Sequence, residues 1–150
     1  MSTLKIAGAT LNQIPFHWQN NVANVLEAIE EARKSNADLL CLPELCLTGY
    51  GCEDTFLSDW LTATAWSKLP QVVAATKDII VCVGIPVRID RTTYNGVCVI
   101  RNKKILGVTL KQNMAKDGGH YAPRRFDPCT AGRIAKSSVD KRKVNDVDFC

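Results

Sequence analysis

Two short apolar runs separated by an amphipathic segment constrain the fold of this chain more than any other feature. Residues 4–11 and residues 37–42 carry little charge and have the length of buried strands. Between them, residues 18–34 repeat apolar side chains at helical spacing, and most of the charged side chains fall at the other positions. This order predicts a β-α-β unit. Because a helical crossover favours parallel strands, it predicts an α/β fold.

A second helix and three further strands are predicted after this unit. Ser58 is placed to cap the helix, and Pro70 is expected to interrupt it, since proline lacks the N–H that a helix interior needs. Residues 78–87 form another apolar run of strand length. Residues 94–101 and 105–110 are typical of a hairpin joined by a short polar turn.

The strand and helix pattern fades beyond residue 126. A length of 150 residues suits one domain. We therefore expect residues 1–128 to form an α/β domain that is incomplete at its C-terminal end. Residues 129–150 are expected to form a divergent and weakly structured tail.

The composition is that of a soluble globular protein, with 46% hydrophobic and 23% charged residues. No run approaches the 18 or so apolar residues of a membrane span, and the N-terminus lacks the pattern of a secretory signal. We expect a cytoplasmic protein with no membrane partner. The seven cysteines include no CxxC pair, and His17 and His120 are far apart in sequence, so we expect buried, reduced thiols and no metal site.

The positive charge is concentrated in the last third of the chain. The formal net charge is +4, and 12 of the 19 lysines and arginines fall in residues 101–150. A basic segment raises the possibility of nucleic-acid binding. No aromatic stacking pattern is interleaved with these residues, so a solvated surface is the better interpretation and no nucleic-acid partner is expected.

Two ionisable residues stand where predicted strands give way to loops. Glu44 follows the strand predicted over residues 37–42, and Lys111 follows the second strand of the hairpin. Loops at the carboxyl ends of strands are where α/β proteins place reactive groups. A carboxylate can act there as a general base, and a lysine can stabilise a developing oxyanion. Taken alone, each residue is more often an ordinary surface charge.

The segments around both residues resemble a known superfamily. Residues 39–50 (LLCLPELCLTGY) resemble the LxxPELxLTGY signature of the nitrilase, or carbon–nitrogen hydrolase, superfamily. Residues 94–96 (YNG), followed by residues 103–107 (KKILG) and Lys111, resemble the hairpin that precedes the superfamily's catalytic lysine.

Further segments resemble one branch of that superfamily, the glutaminase domains of glutamine-dependent NAD synthetases. They are residues 51–54 (GCED), residues 83–86 (VGIP) and residues 121–126, where Tyr121, Arg124 and Phe126 match. Together the matching segments cover most of the chain before residue 129 and keep the family's order.

This resemblance implies a nitrilase-like α-β-β-α sandwich and a two-step hydrolysis of the glutamine side-chain amide. A cysteine thiolate would attack the amide to give a thioester and ammonia, and water would then release glutamate. The match gives Glu44 the role of general base and Lys111 that of stabilising the tetrahedral intermediate. Tyr50 resembles a tyrosine that lines the substrate pocket, and a packed loop aromatic is the alternative.

The resemblance also implies which cofactors and partners to expect. Amide hydrolysis itself would need no cofactor. ATP and magnesium would be used only in a synthetase domain that this chain lacks, where the ammonia would amidate a nicotinic acid dinucleotide. A homo-oligomer is expected, because nitrilase-type proteins commonly oligomerise.

The sequence departs from the family pattern in three ways. The family's nucleophile lies in a motif like CEDxW well beyond the lysine, and neither Cys129 nor Cys150 precedes a glutamate. We therefore expect the nucleophile to lie beyond this chain and the 150-residue chain to be inactive. Ala122 and Arg125 replace a glutamate and an aromatic residue, which predicts a less firmly oriented Lys111. Resemblance is also faint from Cys129 onward.

One alternative function belongs to a different class. A non-catalytic nitrilase-like fragment could serve as an assembly or binding module, because an unfinished sheet exposes edges that seek partners. A clean monomer in solution would argue against it.

Overall fold

Seven strands and two α-helices make up the part of the chain that this computed structural model describes, which is residues 3–116, 122–130, 135–136 and 148–149. The elements are β1 (Ile6–Gly8), α1 (Trp18–Lys34), β2 (Leu39–Cys41), α2 (Asp59–Ala75), β3 (Ile80–Ile89), β4 (Thr92–Arg101), β5 (Lys104–Leu110), β6 (Ala135–Lys136) and β7 (Asp148–Phe149). Short 3-10 turns cover Glu53–Leu57 and Ala122–Arg124. No helix among these residues has the length and apolar character that crossing a bilayer requires.

The strands form one mixed sheet in the order β1-β2-β3-β4-β5-β7-β6. β1, β2 and β3 are parallel, and β4 is antiparallel to both β3 and β5. The predicted parallel β-α-β unit and the predicted hairpin are therefore confirmed. β1 and β2 have only three residues each, fewer than their apolar runs, and Pro43 cannot extend β2 because it has no N–H to donate.

The hydrophobic core lies between the helices and one face of the sheet. Alternate residues of β3 point to this face, and Val81, Val83 and Ile85 are fully buried there. The helices contribute the facing side chains, which are Val22, Val25 and Ile29 from α1 and Ala65, Trp66, Leu69 and Val72 from α2. Burying a side chain of this size stabilises the fold by about 1.5–3 kcal/mol relative to exposing it.

The expected interruption at Pro70 is wrong, because α2 continues through it to Ala75. Pro70 is exposed, and its neighbours Leu69 and Val72 are buried against the sheet. Their burial holds the helix in place despite the hydrogen bond that proline removes. Ser58 does occupy the N-cap position, but its hydroxyl donates backwards to the carbonyl oxygen of Thr55 at 2.5 Å and makes no side-chain cap.

The cysteines within the described residues are all free thiols. Four of them are buried, namely Cys46, Cys52, Cys98 and Cys129. Burial raises the pKa of the Cys46 and Cys98 thiols to about 12. The expectation of buried thiols is wrong for Cys41, which is exposed, because its side chain points away from the helices. Cys150 lies outside the described residues.

The sheet face opposite the helices is also apolar but only partly covered. Leu39, Ile80, Cys82, Val97 and Val99 alternate with core residues along their strands and are each partly exposed. In an α-β-β-α sandwich, this is the face on which a second sheet packs. The loop that carries Glu44 crosses the same face.

Candidate active site

Glu44 lies in a tight turn that passes directly over β3. The N–H of Leu42 donates to the carbonyl oxygen of Cys82 at 3.0 Å, and the chain then crosses the sheet. It crosses above Gly84, where a Cβ atom would lie 2.3 Å from the carbonyl oxygen of Pro43 and 2.8 Å from the Cα of Glu44. Only a residue without a side chain leaves room for this turn. The position of Glu44 therefore depends on a glycine 40 residues further along the chain.

A buried polar network fixes the segment that follows Glu44. The side-chain amide of Gln13 donates to the carbonyl oxygen of Cys46 at 2.7 Å, and that of Asn21 donates to the carbonyl oxygen of Leu47 at 3.2 Å. Asn21 is fully buried and also exchanges two hydrogen bonds with the backbone of Ile14. Breaking such buried hydrogen bonds costs free energy because it leaves polar groups unsatisfied. This cost holds the loop in place. Sequence reasoning missed both amides.

Lys111 is placed by the end of the β4–β5 hairpin. Leu110 pairs with Gly96 on the helix-facing side, so the next residue, Lys111, points to the opposite face. The backbone N–H of Lys111 donates to the carbonyl oxygen of Asn95 at 2.8 Å. Its own carbonyl oxygen accepts a hydrogen bond from the N–H of Cys129 at 3.0 Å. The backbone N–H and the backbone carbonyl group of Lys111 are therefore both held by hydrogen bonds.

The structure brings Glu44 and Lys111 together. The Nζ atom of Lys111 lies 3.0 Å from Oε1 of Glu44, although the two residues are 67 positions apart in sequence. The side chains of Lys111 and Glu44 are 35% and 37% exposed, so both members of the pair are accessible to solvent. A carboxylate beside a fixed ammonium can accept and return a proton while the ammonium keeps its charge.

Asn95 completes the site. Its side-chain Nδ2 donates a hydrogen bond to Oε1 of Glu44, the same oxygen that Lys111 contacts. Asn95 is 4% exposed and lies on the sheet face that carries Glu44. Its part in the site was missed from the sequence. The available signal was strand alternation, which places Asn95 on the same face as Lys111 across the hairpin.

Tyr50 lies in the turn after Gly49 and is 46% exposed. Gly49 has a φ of +79°, and a Cβ atom there would lie 2.8 Å from the backbone nitrogen of Pro15. This glycine lets the turn pack on the loop before α1. The role of Tyr50 in substrate binding stays a prediction.

An ion-pair cluster joins the loop after Tyr50 to the segment around residue 125. Arg124 contacts both carboxylate oxygens of Asp54, at 2.9 and 2.5 Å, and Arg125 pairs with Glu53. The hydrogen bond from Arg124 is the main cause that lowers the pKa of the Asp54 carboxyl. The side chain of Arg125 is only 20% exposed. The interpretation of these arginines as a solvated surface is therefore wrong for Arg125, because the acidic loop covers it.

Two of the positions that depart from the family pattern, Ala122 and Cys129, are buried. Ala122 is buried, and its N–H donates to the carbonyl oxygen of Ala115 at 3.1 Å. Lys111 contacts Glu44 without any carboxylate at position 122. Cys129 is buried, with its thiol 3.6 Å from the carbonyl oxygen of Thr130. His120, Tyr121 and Cys150 lie outside the described residues.

The donor set of the site does not suit a metal ion. It consists of one carboxylate, one ammonium and one amide, and the ammonium competes with any cation for the carboxylate. Within the part of the chain that is described, no three His, Cys, Asp or Glu side chains converge on a common point. An open cleft of ≈550 Å³ lies between β1 and α1, and it is not lined by Glu44, Asn95 or Lys111.

The chain folds into a mixed α/β sheet that holds a glutamate and a lysine in contact beyond its strand ends, as the resemblance to nitrilase-like α/β proteins implies. The sequence model of the Carbon-nitrogen hydrolase family matches residues 5–139. The chain therefore belongs to the carbon–nitrogen hydrolase family, and the predicted family and fold class are confirmed.

The relatives are glutamine-dependent NAD(+) synthetases. The chain is 32% identical over 150 residues to the one from Dictyostelium discoideum, covering 98% of this chain and 21% of that protein. It is 36% identical over 132 residues to the one from Oryza sativa subsp. indica, covering 87% of this chain and 18% of that protein. The chain thus spans about a fifth of the length of these curated relatives.

Solved structures agree with this relationship. The crystal structure of a glutamine-dependent NAD(+) synthetase from Cytophaga hutchinsonii has a TM-score of 0.91 and 43% identity, over 99% of this chain and 25% of that one. An amidase from Nesterenkonia sp. AN1 shares the fold, with a TM-score of 0.71 and 19% identity over 88% of this chain and 51% of its own.

Proposed function

We propose that this chain supplies the general base and the charge-stabilising lysine for hydrolysis of the glutamine side-chain amide. The observation that carries the proposal is the 3.0 Å contact between Lys111 and Glu44, two residues brought together from separate loops. The names of the relatives, which are glutamine-dependent enzymes, support glutamine as the substrate.

The proposed reaction moves one proton through Glu44 in each half. Glu44 takes the proton of a cysteine thiol, and the thiolate sulfur bonds to the amide carbon. The carbon–nitrogen bond breaks, and Glu44 returns the proton to the nitrogen, which leaves as ammonia. Glu44 then takes a proton from water as the hydroxyl attacks the thioester, and glutamate leaves as the thiol regains that proton. Lys111 stabilises the negative oxygen of each tetrahedral intermediate.

The attacking thiol is proposed to lie outside residues 1–150. Cys129 is buried, and neither it nor Cys150 precedes a glutamate as the family motif requires. A general base and a lysine without their nucleophile retain little catalysis. The 150-residue chain by itself is therefore expected not to hydrolyse glutamine.

The remaining assignments belong to the same proposal. Residues 1–128 form the N-terminal part of a glutaminase domain, residues 129–150 form a divergent tail, and Tyr50 contacts the substrate. Amide hydrolysis proceeds without a cofactor. The ammonia passes to a synthetase domain that uses ATP and magnesium to make NAD. The protein is a cytoplasmic homo-oligomer and has no nucleic-acid or membrane partner.

A chimera tests this function. Residues 1–150 replace the matching quarter of the Cytophaga hutchinsonii synthetase, and ammonia release from glutamine is measured. The chimera is expected to be active, and Glu44→Gln and Lys111→Ala each to lower kcat by roughly 100-fold or more. Glu27→Gln on α1 and Lys104→Ala on β5 are matched controls on exposed residues and should change little.

Two outcomes would contradict the proposal. If the Glu44→Gln chimera is active, Glu44 is not the general base. Glutamine hydrolysis by the purified 150-residue chain would show that the nucleophile lies within these residues.

A second candidate function rests on the partly exposed apolar sheet face opposite the helices. Such a face favours association. On this alternative, the chain is an assembly module rather than part of a catalyst. Sedimentation of the 150-residue chain distinguishes the two, since a monomer at micromolar concentration would exclude self-assembly through this face.

A further inference from the structure

Both donors that reach Glu44 converge on one of its two oxygens. Lys111 Nζ and Asn95 Nδ2 each donate to Oε1. Among the residues that the structure describes, no donor contacts Oε2. The carboxylate is therefore held asymmetrically, with one oxygen anchored and the other available for a further partner.

Asn95 also controls the position of the lysine. Its side chain holds Glu44, and its backbone carbonyl oxygen accepts the N–H of Lys111 at 2.8 Å. One residue of β4 is thus bonded to both members of the pair. Because Asn95 is 4% exposed and lies within a ten-residue strand, it moves little relative to the sheet.

We propose that Asn95 is a positioning residue that fixes the rotation of the Glu44 carboxylate, so that Oε1 stays anchored and Oε2 takes and returns the proton. The inference rests on the proposed function. A carboxylate free to rotate about its last torsion would present either oxygen, since that torsion has broad minima. Two donors on Oε1 remove this freedom, and correct orientation of a base is a large part of its effect.

The arrangement predicts an unusual order among Asn95 variants. Asn95→Ala removes one donor and lowers kcat by about 10- to 100-fold with little change in KM, the loss expected for a hydrogen bond to a charged group. Asn95→Asp is isosteric but presents a second carboxylate to Glu44, so it lowers kcat further. A merely structural role predicts the opposite order, because aspartate preserves the packing.

The first measurement uses the 150-residue chain as it is. NMR detects scalar coupling across a hydrogen bond, and coupling is expected from the Asn95 side-chain nitrogen to the carboxylate carbon of Glu44. Absence of this coupling, with the fold intact, would overturn the proposal even if every Asn95 variant proved unstable.

The second measurement is the kinetic comparison in the chimera, with Asn20→Ala on α1 as the asparagine control on the other face of the sheet. Lower kcat for Asn95→Asp than for Asn95→Ala supports the proposal. Equal or reversed order overturns it. If Glu44→Gln abolishes activity while Asn95→Ala stays within twofold of the parent, only the positioning inference fails. If Glu44→Gln remains active, the proposed function fails.

Discussion

Replacing Gly84 with alanine would place a methyl group inside the turn that carries Glu44. The new Cβ atom would lie 2.3 Å from the carbonyl oxygen of Pro43 and 2.5 Å from the backbone nitrogen of Leu45. Ordinary contact begins at 3.4 Å, so the turn must retreat by about 1 Å. Both obstructing atoms are backbone, and Leu45 is fully buried, so no flexible side chain can absorb the shift.

Forced overpacking of this kind costs about 3 kcal/mol, at the upper end of its usual range. For a chain of this size that lowers Tm by roughly 6–12 °C. Urea unfolding followed by tryptophan fluorescence measures the loss. Gly8→Ala on β1 is the matched control, because nothing lies within 4 Å of the Cβ position of Gly8. This variant should unfold at the same urea concentration as the parent. A Gly84→Ala variant as stable as the parent would refute the account of how Glu44 is placed.

Two further predictions concern ionisable side chains. The pKa of the Asp54 carboxyl is lowered, chiefly by the hydrogen bond that it accepts from Arg124. The stabilisation from this ion pair is therefore fully present above the ordinary aspartate pKa of 3.8, and it is lost as the pH falls through the lowered pKa. The gap in unfolding midpoint between the parent and Asp54→Asn should therefore close in acid, and a gap that is unchanged down to pH 2 would contradict this. Among the six described cysteines, Cys41 should react first with iodoacetamide at pH 8, because burial raises the pKa of Cys46 and Cys98 to about 12. Mass spectrometry that finds Cys46 alkylated as fast as Cys41 would contradict that burial.

The sequence predicted those parts of the fold that depend on local pattern. Helical spacing gave α1 its correct bounds, and apolar runs indicated each strand from β1 to β5. The prediction that Pro70 interrupts α2 was wrong, because the burial of residues on both sides of Pro70 outweighs one lost hydrogen bond. Local preference is thus reliable until tertiary packing opposes it.

The candidate site was predictable only where strand ends mark it. Glu44 and Lys111 attracted attention because each follows a predicted strand, and the superfamily signatures around them gave them their expected roles. Asn95, Gln13 and Asn21 were missed, since their hydrogen bonds reach residues 51, 33 and 26 positions away. Strand alternation indicates the sheet face on which Asn95 lies, but it does not indicate the hydrogen-bond partners of these amides, which are seen only when the sheet is assembled.

The central claim is that Glu44 and Lys111 act as one unit, and a double-mutant cycle on glutamine hydrolysis in the chimera tests it most directly. Residues that act together are strongly non-additive. The account predicts that Glu44→Gln combined with Lys111→Ala is scarcely less active than the poorer single variant. If the two losses multiplied, the residues would be working independently, and the shared site would be contradicted.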